Sequence, residues 1–363
     1  MWVVLWLVVW ILVVIALFVY FVFLDNQKKQ KSDLWIESLD SVTDITVFKH
    51  SLSAVVFVNP VLNSVKNEMH KVIVGMDSFI NAIIINLFAW WHLLVEGVPW
   101  LAKTKVIQTF ADVLHLDFVR VQFTPDLLPS DLIWVDIYNN KTKKFETQVG
   151  PIVSNILLAD EINRTPPKVQ SALLEAMQEK QVSIWWKTVS LPDPFLVLAT
   201  QNPLEQEGTY PLPEAQIDRF LFKILVDYPD HSEEVGILDI LENEQDILVK
   251  RKMTHQQFVA IRQKIEGVKV PDMVKNYIAK LVQKTRQKHR YLLYGASPRA
   301  SIGLMMAGKA VAFLEWRNEV VYEDIQKVYL AVLRHRIVLN YDAKVDGVDA
   351  DTILLELAGQ VSL

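Results

Sequence analysis

The 363-residue chain contains no cysteine, which excludes a disulfide framework and any thiolate metal site. Excess positive charge is also missing. Lys and Arg number 37 against 42 Asp and Glu, for a formal net charge of −5, so no general nucleic-acid-binding surface is indicated and nucleic acid is not expected as a partner. The eight histidines show no metal-ligand spacing. Glycine is scarce: 11 residues, about 3% of the chain where about 7% is usual. Tryptophan equals it at 11, an unusual ratio for a globular protein.

What is present begins with a hydrophobic run. Met1–Leu24 carries no charge, and as a helix it spans about 36 Å, enough to cross a bilayer. Lys28, Lys29 and Lys31 follow it, which by the positive-inside rule puts the rest of the chain in the cytoplasm. The expectation is a single-pass protein of the cytoplasmic membrane, anchored by residues 1–24, with a linker over 25–58.

The chain is organised around Gly97-Val98-Pro99-Trp100-Leu101-Ala102-Lys103-Thr104. A β-type run, His92–Glu96, precedes it and a helix-type run, Thr104–Leu114, follows. A strand, a tight loop and a helix opening on Lys-Thr form a phosphate cradle. Backbone N–H groups and the helix N-terminus attract phosphate oxygens, Lys103 reaches the β- and γ-phosphates, and the Thr104 hydroxyl ligates Mg²⁺. In the usual G-x4-G-K-[ST] pattern the second glycine falls where Ala102 stands, and Trp100 fills a loop position where glycine is common.

About 60 residues on, the apolar run Ile156–Ala159 ends on Asp160-Glu161. An acidic pair at a strand tip after such a loop has two tasks: Asp160 to hold Mg²⁺ through water, and Glu161 to polarise the attacking water. Phe195–Thr200 reads as a neighbouring buried strand. Asn202 beyond its tip can orient that water, or serve the structure alone. Arg219, just before the strand Phe222–Val226, could reach a neighbouring subunit's γ-phosphate as an arginine finger does, or do purely structural work. Phe118–Phe123 is a further strand, and Pro60–His70 and Pro166–Lys180 are helices. Beyond Pro229 the pattern is helical: Ser232–Leu241, Thr254–Glu266, Pro271–Lys288, Pro298–Leu314 and Tyr322–Val338. Lys284–Arg290 reads as basic on one helix face. Arg299 opens a helix after Ser297-Pro298, suitably placed to point toward a nucleotide.

Residues 71–228 resemble the MoxR family of AAA+ ATPases. The resemblance is carried by Gly97–Thr104, Phe123–Asp131 (FTPDLLPSD), Leu157–Gln178 (LLADEINRTPPKVQSALLEAMQ), Ala199–Phe222 (ATQNPLEQEGTYPLPEAQIDRFLF) and Gly295–Ala300 (GASPRA). It implies an α/β fold: a P-loop AAA+ core with a parallel five-stranded sheet over 59–228 and a C-terminal α-helical lid over 229–363. It implies that Lys103 and Thr104 form the Walker A pair, Asp160 and Glu161 the Walker B pair, Asn202 sensor 1, Arg219 the arginine finger and Arg299 sensor 2. Thr124–Pro151 matches the helix-2 insert and Gln181–Ser190 the presensor hairpin, both facing partners or a pore. The implied activity is hydrolysis of ATP with Mg²⁺ in a homo-oligomeric ring, a hexamer, coupled to remodelling of protein clients, von Willebrand A-type proteins among them.

Most of the tryptophans from 90 to 316 fall where local physics wants glycine. Trp90-Trp91 and Trp316 lie at helix C-caps, Trp100 in the phosphate loop, Trp185-Trp186 at a hairpin tip and Trp134 in the insert. Trp2, Trp6 and Trp10 recur at the spacing of a small-residue helix-packing face, and Trp35 lies in the linker. Family relatives resemble this chain with glycine at the seven positions from 90 to 316. Some bacteria read UGA as glycine, and a table reading UGA as tryptophan prints this sequence. The alternative is that the tryptophans are real and the chain is a non-hydrolysing membrane scaffold.

Overall fold

The computed structural model of the chain describes residues 52–97, 102–139, 143–184, 187–202, 208–242 and 248–361. Val98, Pro99, Trp100 and Leu101 lie outside these residues, as do Trp2, Trp6, Trp10, Trp35, Trp185 and Trp186.

Helix α1, Pro60–Met69, starts where it does because the Asn59 side chain accepts hydrogen bonds from the Val61 and Leu62 N–H groups and Pro60 fills the first helical position. Helix α2, Asp77–Ala89, is buried at every residue from Phe79 to Ala89. Covered all round, it has no polar face and so no amphipathic period in its sequence. Strand β1 is His92–Gly97, α3 Lys103–Leu114 and β2 Phe118–Gln122. The insert that follows holds a short helix α4, Pro129–Ile133, and an antiparallel pair, β3 Trp134–Asn139 with β4 Lys144–Val149. Then come β5 Ile156–Asp160, α5 Pro167–Glu179, the hairpin β6 Gln181–Ile184 and β7 Lys187–Ser190, β8 Leu196–Gln201, α6 Glu214–Ile217 and β9 Phe220–Val226.

The main sheet has the order β2-β5-β8-β1-β9, and every neighbouring pair is parallel. Parallel strands covered on both faces read as near-continuous apolar runs, and alternate residues divide between two cores. Leu93 and Val95 face one core and Leu94 the other. The expected five-stranded parallel α/β core is present.

The second half is helical: α7 His231–Glu242, α8 His255–Glu266, α9 Asp272–Lys284, α10 Pro298–Leu314, α11 Tyr322–Leu333, α12 Tyr341–Asp346 and α13 Ala350–Gly359, with a small antiparallel pair, β10 Leu292–Tyr294 and β11 Val338–Leu339. Helix α9 ends at Lys284, with Thr285 as its C-cap, so Lys284–Arg290 does not form one helix face. The lid is not a separate body. Leu304 and Val311 of α10 and Val332 of α11 belong to the same hydrophobic core as Ile83 of α2 and Phe222 of β9.

Two expectations change at the N-terminal side. Leu52, Val55 and Phe57, read as the end of a linker, are buried in this core. The Asn81 amide donates to the Leu52 and Val55 carbonyls, and the Val58 and Asn59 N–H groups donate to the Leu314 carbonyl. The assignment to the cytoplasmic membrane as a single-pass protein is corrected. Among the described residues no helix is long and apolar enough to cross a membrane. Helix α10, with 17 residues, spans about 26 Å against a hydrocarbon core of about 30 Å, and its apolar side is buried inside the lid. The run 1–24 on which the expectation rested lies outside the described residues.

Candidate nucleotide site

Three neighbouring strands, β5, β8 and β1, end at one edge of the sheet and bring their following residues together there. Gly97 closes β1 against β9, where a Cβ would stand 2.5 Å from the Val226 carbonyl oxygen. Ala102 enters α3 in the left-handed region, φ 48°, which accounts for the glycine usual at this position. Lys103 and Thr104 open the helix, and the Lys103 ammonium donates to the Gly97 carbonyl at 2.6 Å. Burial pushes that ammonium below the ordinary lysine value, and the Asp160, Glu161 and Glu96 carboxylates oppose the shift. The lysine and the acidic pair therefore act on one another across one cleft.

That cleft, about 480 Å³, is lined by Gly97, Ala102, Lys103, Thr104, Lys105, Arg120, Gln122, Asp160, Glu161, Thr200, Gln201 and Asn202. The Thr200 hydroxyl fixes the acidic tip by donating to Asp160 Oδ1 at 2.6 Å and accepting the Glu161 N–H at 2.8 Å. Asp160 Oδ2 accepts from Arg120 Nε and Nη2 at 3.0 and 2.6 Å. Glu161 Oε2 accepts from Gln122 Nε2 at 2.7 Å and lies 3.0 Å from Arg164 Nε. Asn202 is buried, 7% exposed, beyond the tip of β8.

The oxygen donors fit a hard divalent cation. The Thr104 hydroxyl and the Asp160 carboxylate line the same cleft, a sparse set of protein ligands of the kind Mg²⁺ accepts when phosphates and water complete its shell. Among the described residues no group of three or more His, Cys, Asp or Glu could form an all-protein cage.

A second cavity, about 530 Å³, adjoins the first at Ala102. Val74, Met76, Ile224, Val226, Pro229 and Ile237 supply much of its wall. It is mainly apolar and offers a stacking site for a planar base beside a phosphate cleft. Sequence reasoning did not find it. The available signals were the Ile73-Val74-Gly75 run, whose glycine takes φ 63° two residues before α2, and Pro229 just past β9.

Arg219 and Arg299 do not line either cavity. Both lie at the opposite edge of the sheet, beside Asp218. Phe220 pairs with His92 at the start of β1, while Val226 pairs with Gly97 at its end, a separation of about 17 Å along the strand. Arg219 Nη1 donates to the Leu174 carbonyl at 3.0 Å. Arg299 Nη1 is 3.7 Å from Asp218 Oδ2. The Ser297 hydroxyl donates to the same oxygen at 2.8 Å, and Arg336 Nε donates to Asp218 Oδ1 at 2.8 Å. Burial lowers the fully enclosed Arg336 to about 10 against the pull of Asp218. This cluster ties the lid to the start of β9 and holds Arg299 there, at the end of the sheet away from the chain's own cleft.

Comparison with known proteins agrees with the geometry. Residues 92–222 match the model described as the ATPase family associated with various cellular activities, and residues 284–357 match the AAA lid domain. The chain is 45% identical to the uncharacterized protein YeaC of Bacillus subtilis, over 84% of this chain and 95% of that protein. It is 42% identical to Chaperone MoxR1 of Mycobacterium tuberculosis, over 82% of this chain and 80% of that protein. A crystal structure of a Cytophaga hutchinsonii protein assigned as an ATPase superposes with a TM-score of 0.80 at 46% identity, covering 83% of this chain and 94% of the other.

Proposed function

This chain belongs to the MoxR family of AAA+ ATPases, P-loop enzymes that hydrolyse ATP, and on that premise we propose that it works as a homo-oligomeric ring, a hexamer, whose turnover drives chaperone-like remodelling or maturation of partner protein complexes. The observation that carries the reading is the convergence of Lys103, Thr104, Asp160, Glu161 and Asn202 on one cleft that opens into an apolar pocket. In this reading the pocket takes the adenine, Lys103 the β- and γ-phosphates, and the Gly97–Thr104 loop the phosphate chain. Thr104 and Asp160 hold Mg²⁺, which when bound neutralises charge developing on the phosphates. Glu161 takes the proton of the attacking water and Asn202 orients that water.

Arg219 and Arg299 act on a neighbour. They lie at the end of the sheet opposite their own cleft, so in this reading a head-to-tail ring brings them the next subunit's γ-phosphate. The insert 124–151 and the β6–β7 hairpin face clients, von Willebrand A-type proteins among them. Replacing Lys103 by Ala abolishes nucleotide binding, and Glu161→Gln retains ATP while stopping hydrolysis. Unchanged turnover in either variant, measured as phosphate release, contradicts these roles.

The same reading makes the tryptophans recoded glycines. Its support is local: Trp90 and Trp316 take φ 63° and 62°. At Trp316 the Trp316 N–H donates to the Phe313 carbonyl and the Arg317 N–H to the Ala312 carbonyl, a helix-ending pattern that glycine ordinarily completes. The codons decide it. UGA at positions 90, 91, 100, 134, 185, 186 and 316 supports recoding, and UGG overturns it.

A further inference from the structure

One acid on the wall of the apolar cavity is held in place by the start of α7. The Glu233 N–H donates to Asp230 Oδ1 at 2.9 Å, and the Asp230 N–H donates to Glu233 Oε2 at 3.1 Å, a reciprocal helix cap. The cap engages Oε2. The other carboxylate oxygen lies over the segment that leads into α2. A Cβ on Gly75 would stand 1.9 Å from Glu233 Oε1 and 2.4 Å from the carboxyl carbon, so the carboxylate fills the space that Gly75 leaves open. At Gly236 a Cβ would stand 2.9 Å from Val74 Cγ1. Two glycines thus seat α7 closely on Val74 and Gly75. Glu233 and Ile237, four residues apart on one helix face, line the cavity together with Val74.

The polar groups of the cavity are biased toward acceptors. Asp77, Asp227 and Glu233 are its charged lining residues, and Ser53 and Ser78 bring its only side-chain donors. Asp77 is paired with Lys66, and Asp227 is exposed. Glu233 is half-buried and keeps Oε1 on the cavity side of its cap. A carboxylate oxygen accepts hydrogen bonds and donates none. Such a wall favours a base edge that carries an N–H donor. It disfavours a carbonyl oxygen, which would face the carboxylate with neither group satisfied. Adenine carries an amino group at C6, where guanine carries a carbonyl.

We propose that Glu233 is a specificity-determining residue for the base: its Oε1 accepts a hydrogen bond from the 6-amino group of adenine, with Gly75 clearing the space, so that the chain selects adenine over 6-oxopurine nucleotides. The inference rests on reading this cavity as the base site. No residue of α7 is buried, so replacing Glu233 leaves the core intact.

The experiment is steady-state turnover of the full chain with Mg²⁺ on four substrates: ATP, purine riboside 5′-triphosphate, which lacks any group at C6, and the 6-oxopurine nucleotides ITP and GTP. In the parent, kcat/KM for ATP exceeds that for the purine riboside by about tenfold, the scale of one hydrogen bond to a charged group, and exceeds that for ITP by more. The difference falls mainly in KM, because the phosphate end of the site is the same for all four. In Glu233→Ala the ratio of ATP to purine riboside falls to about one, since the amine has lost its acceptor. Glu233→Gln keeps the cap through its amide oxygen and presents an amide donor in place of Oε1, so ITP gains on ATP by about tenfold. An undiminished ratio of ATP to purine riboside in Glu233→Ala overturns the assignment. A parent that prefers GTP to ATP overturns it as well, because the carboxylate then meets the N–H groups at N1 and N2 of guanine. Nucleotide turnover that survives Lys103→Ala would instead overturn the site on which the inference rests, which keeps the two failures apart.

Discussion

Left-handed residues occur in this chain at ordinary helix caps such as His115 and Lys180, in the candidate cleft and at two tryptophans. Ala102 and Glu161 take positive φ at the two halves of the phosphate cleft, where strain goes with function. Trp316 takes it at the end of α10, 58% exposed, where no chemistry accounts for it. A left-handed L-residue costs about 1–2 kcal/mol, partly offset by the extra chain entropy that glycine loses on folding. Trp316→Gly is therefore expected to stabilise the fold by about 1 kcal/mol, measured by urea denaturation; a destabilised variant would show that the indole contributes more to packing than its backbone costs. Trp90 is a less clean position for the same test, because the Lys180 ammonium and the Arg262 guanidinium lie 3.9 and 3.6 Å from its ring.

At the scale of elements, α1 shows how one buried carboxylate holds segments distant in sequence. Glu68 is 2% exposed. It accepts the Lys250 N–H at 2.9 Å and pairs with Lys71 and Lys252 at 2.9 and 3.1 Å. Burial alone would raise its pKa, but these donors together hold it down at about 2. A carboxylate depressed in the fold contributes stability that is full above the unfolded value near 4.5 and is lost as pH falls toward 2. Glu68→Gln is expected to cost about 2–3 kcal/mol at neutral pH and to flatten stability against pH between those values. Denaturation midpoints in parent and variant across that range provide the check, and parallel pH curves would remove Glu68 from the account.

Elements whose pattern repeats locally were legible in the sequence. The buried strands β1, β5 and β8 read as short apolar runs, and α5 and α10 as helices with Pro near the start. The Lys-Thr and Asp-Glu pairs were legible because one lies a few residues past a strand and the other stands at a strand tip, and the structure brings both to one cleft. The end of helix α2 was legible at Trp90-Trp91, but its extent was not, since burial on all sides erases its period. The apolar cavity beside the cleft was missed because its wall comes from segments around 74 and 224–237 that only the fold brings together. The place of Arg299 was not legible either. A helix-opening arginine says nothing about which side of the sheet its helix packs on, and it packs beside Asp218. The Gln122–Glu161 bond needed the pairing of β2 with β5 before it could be seen.

At the scale of the whole molecule, the proposed ring gives one chain two half-sites at opposite ends of the β1 and β9 strands: the Lys103 cleft and the face that carries Arg219. A Lys103→Ala chain lacks its own phosphate grip but keeps Arg219, and an Arg219→Ala chain has the reverse defect. Mixing the two is expected to restore turnover well above the sum of the separate preparations, because one interface type in the mixed ring then has both halves intact. A mixture no more active than its parts would exclude sharing of the site between subunits.

The lid and the sheet share one hydrophobic core, and residues 52–58 are buried in it. A jaw-like closure of lid on sheet would have to disturb that shared core. In the proposed ring, the work would then fall to neighbouring protomers that slide or tilt past each other, each moving as a solid wedge. A gap torn between two wedges and sealed again at each turnover would be the stroke that a client feels.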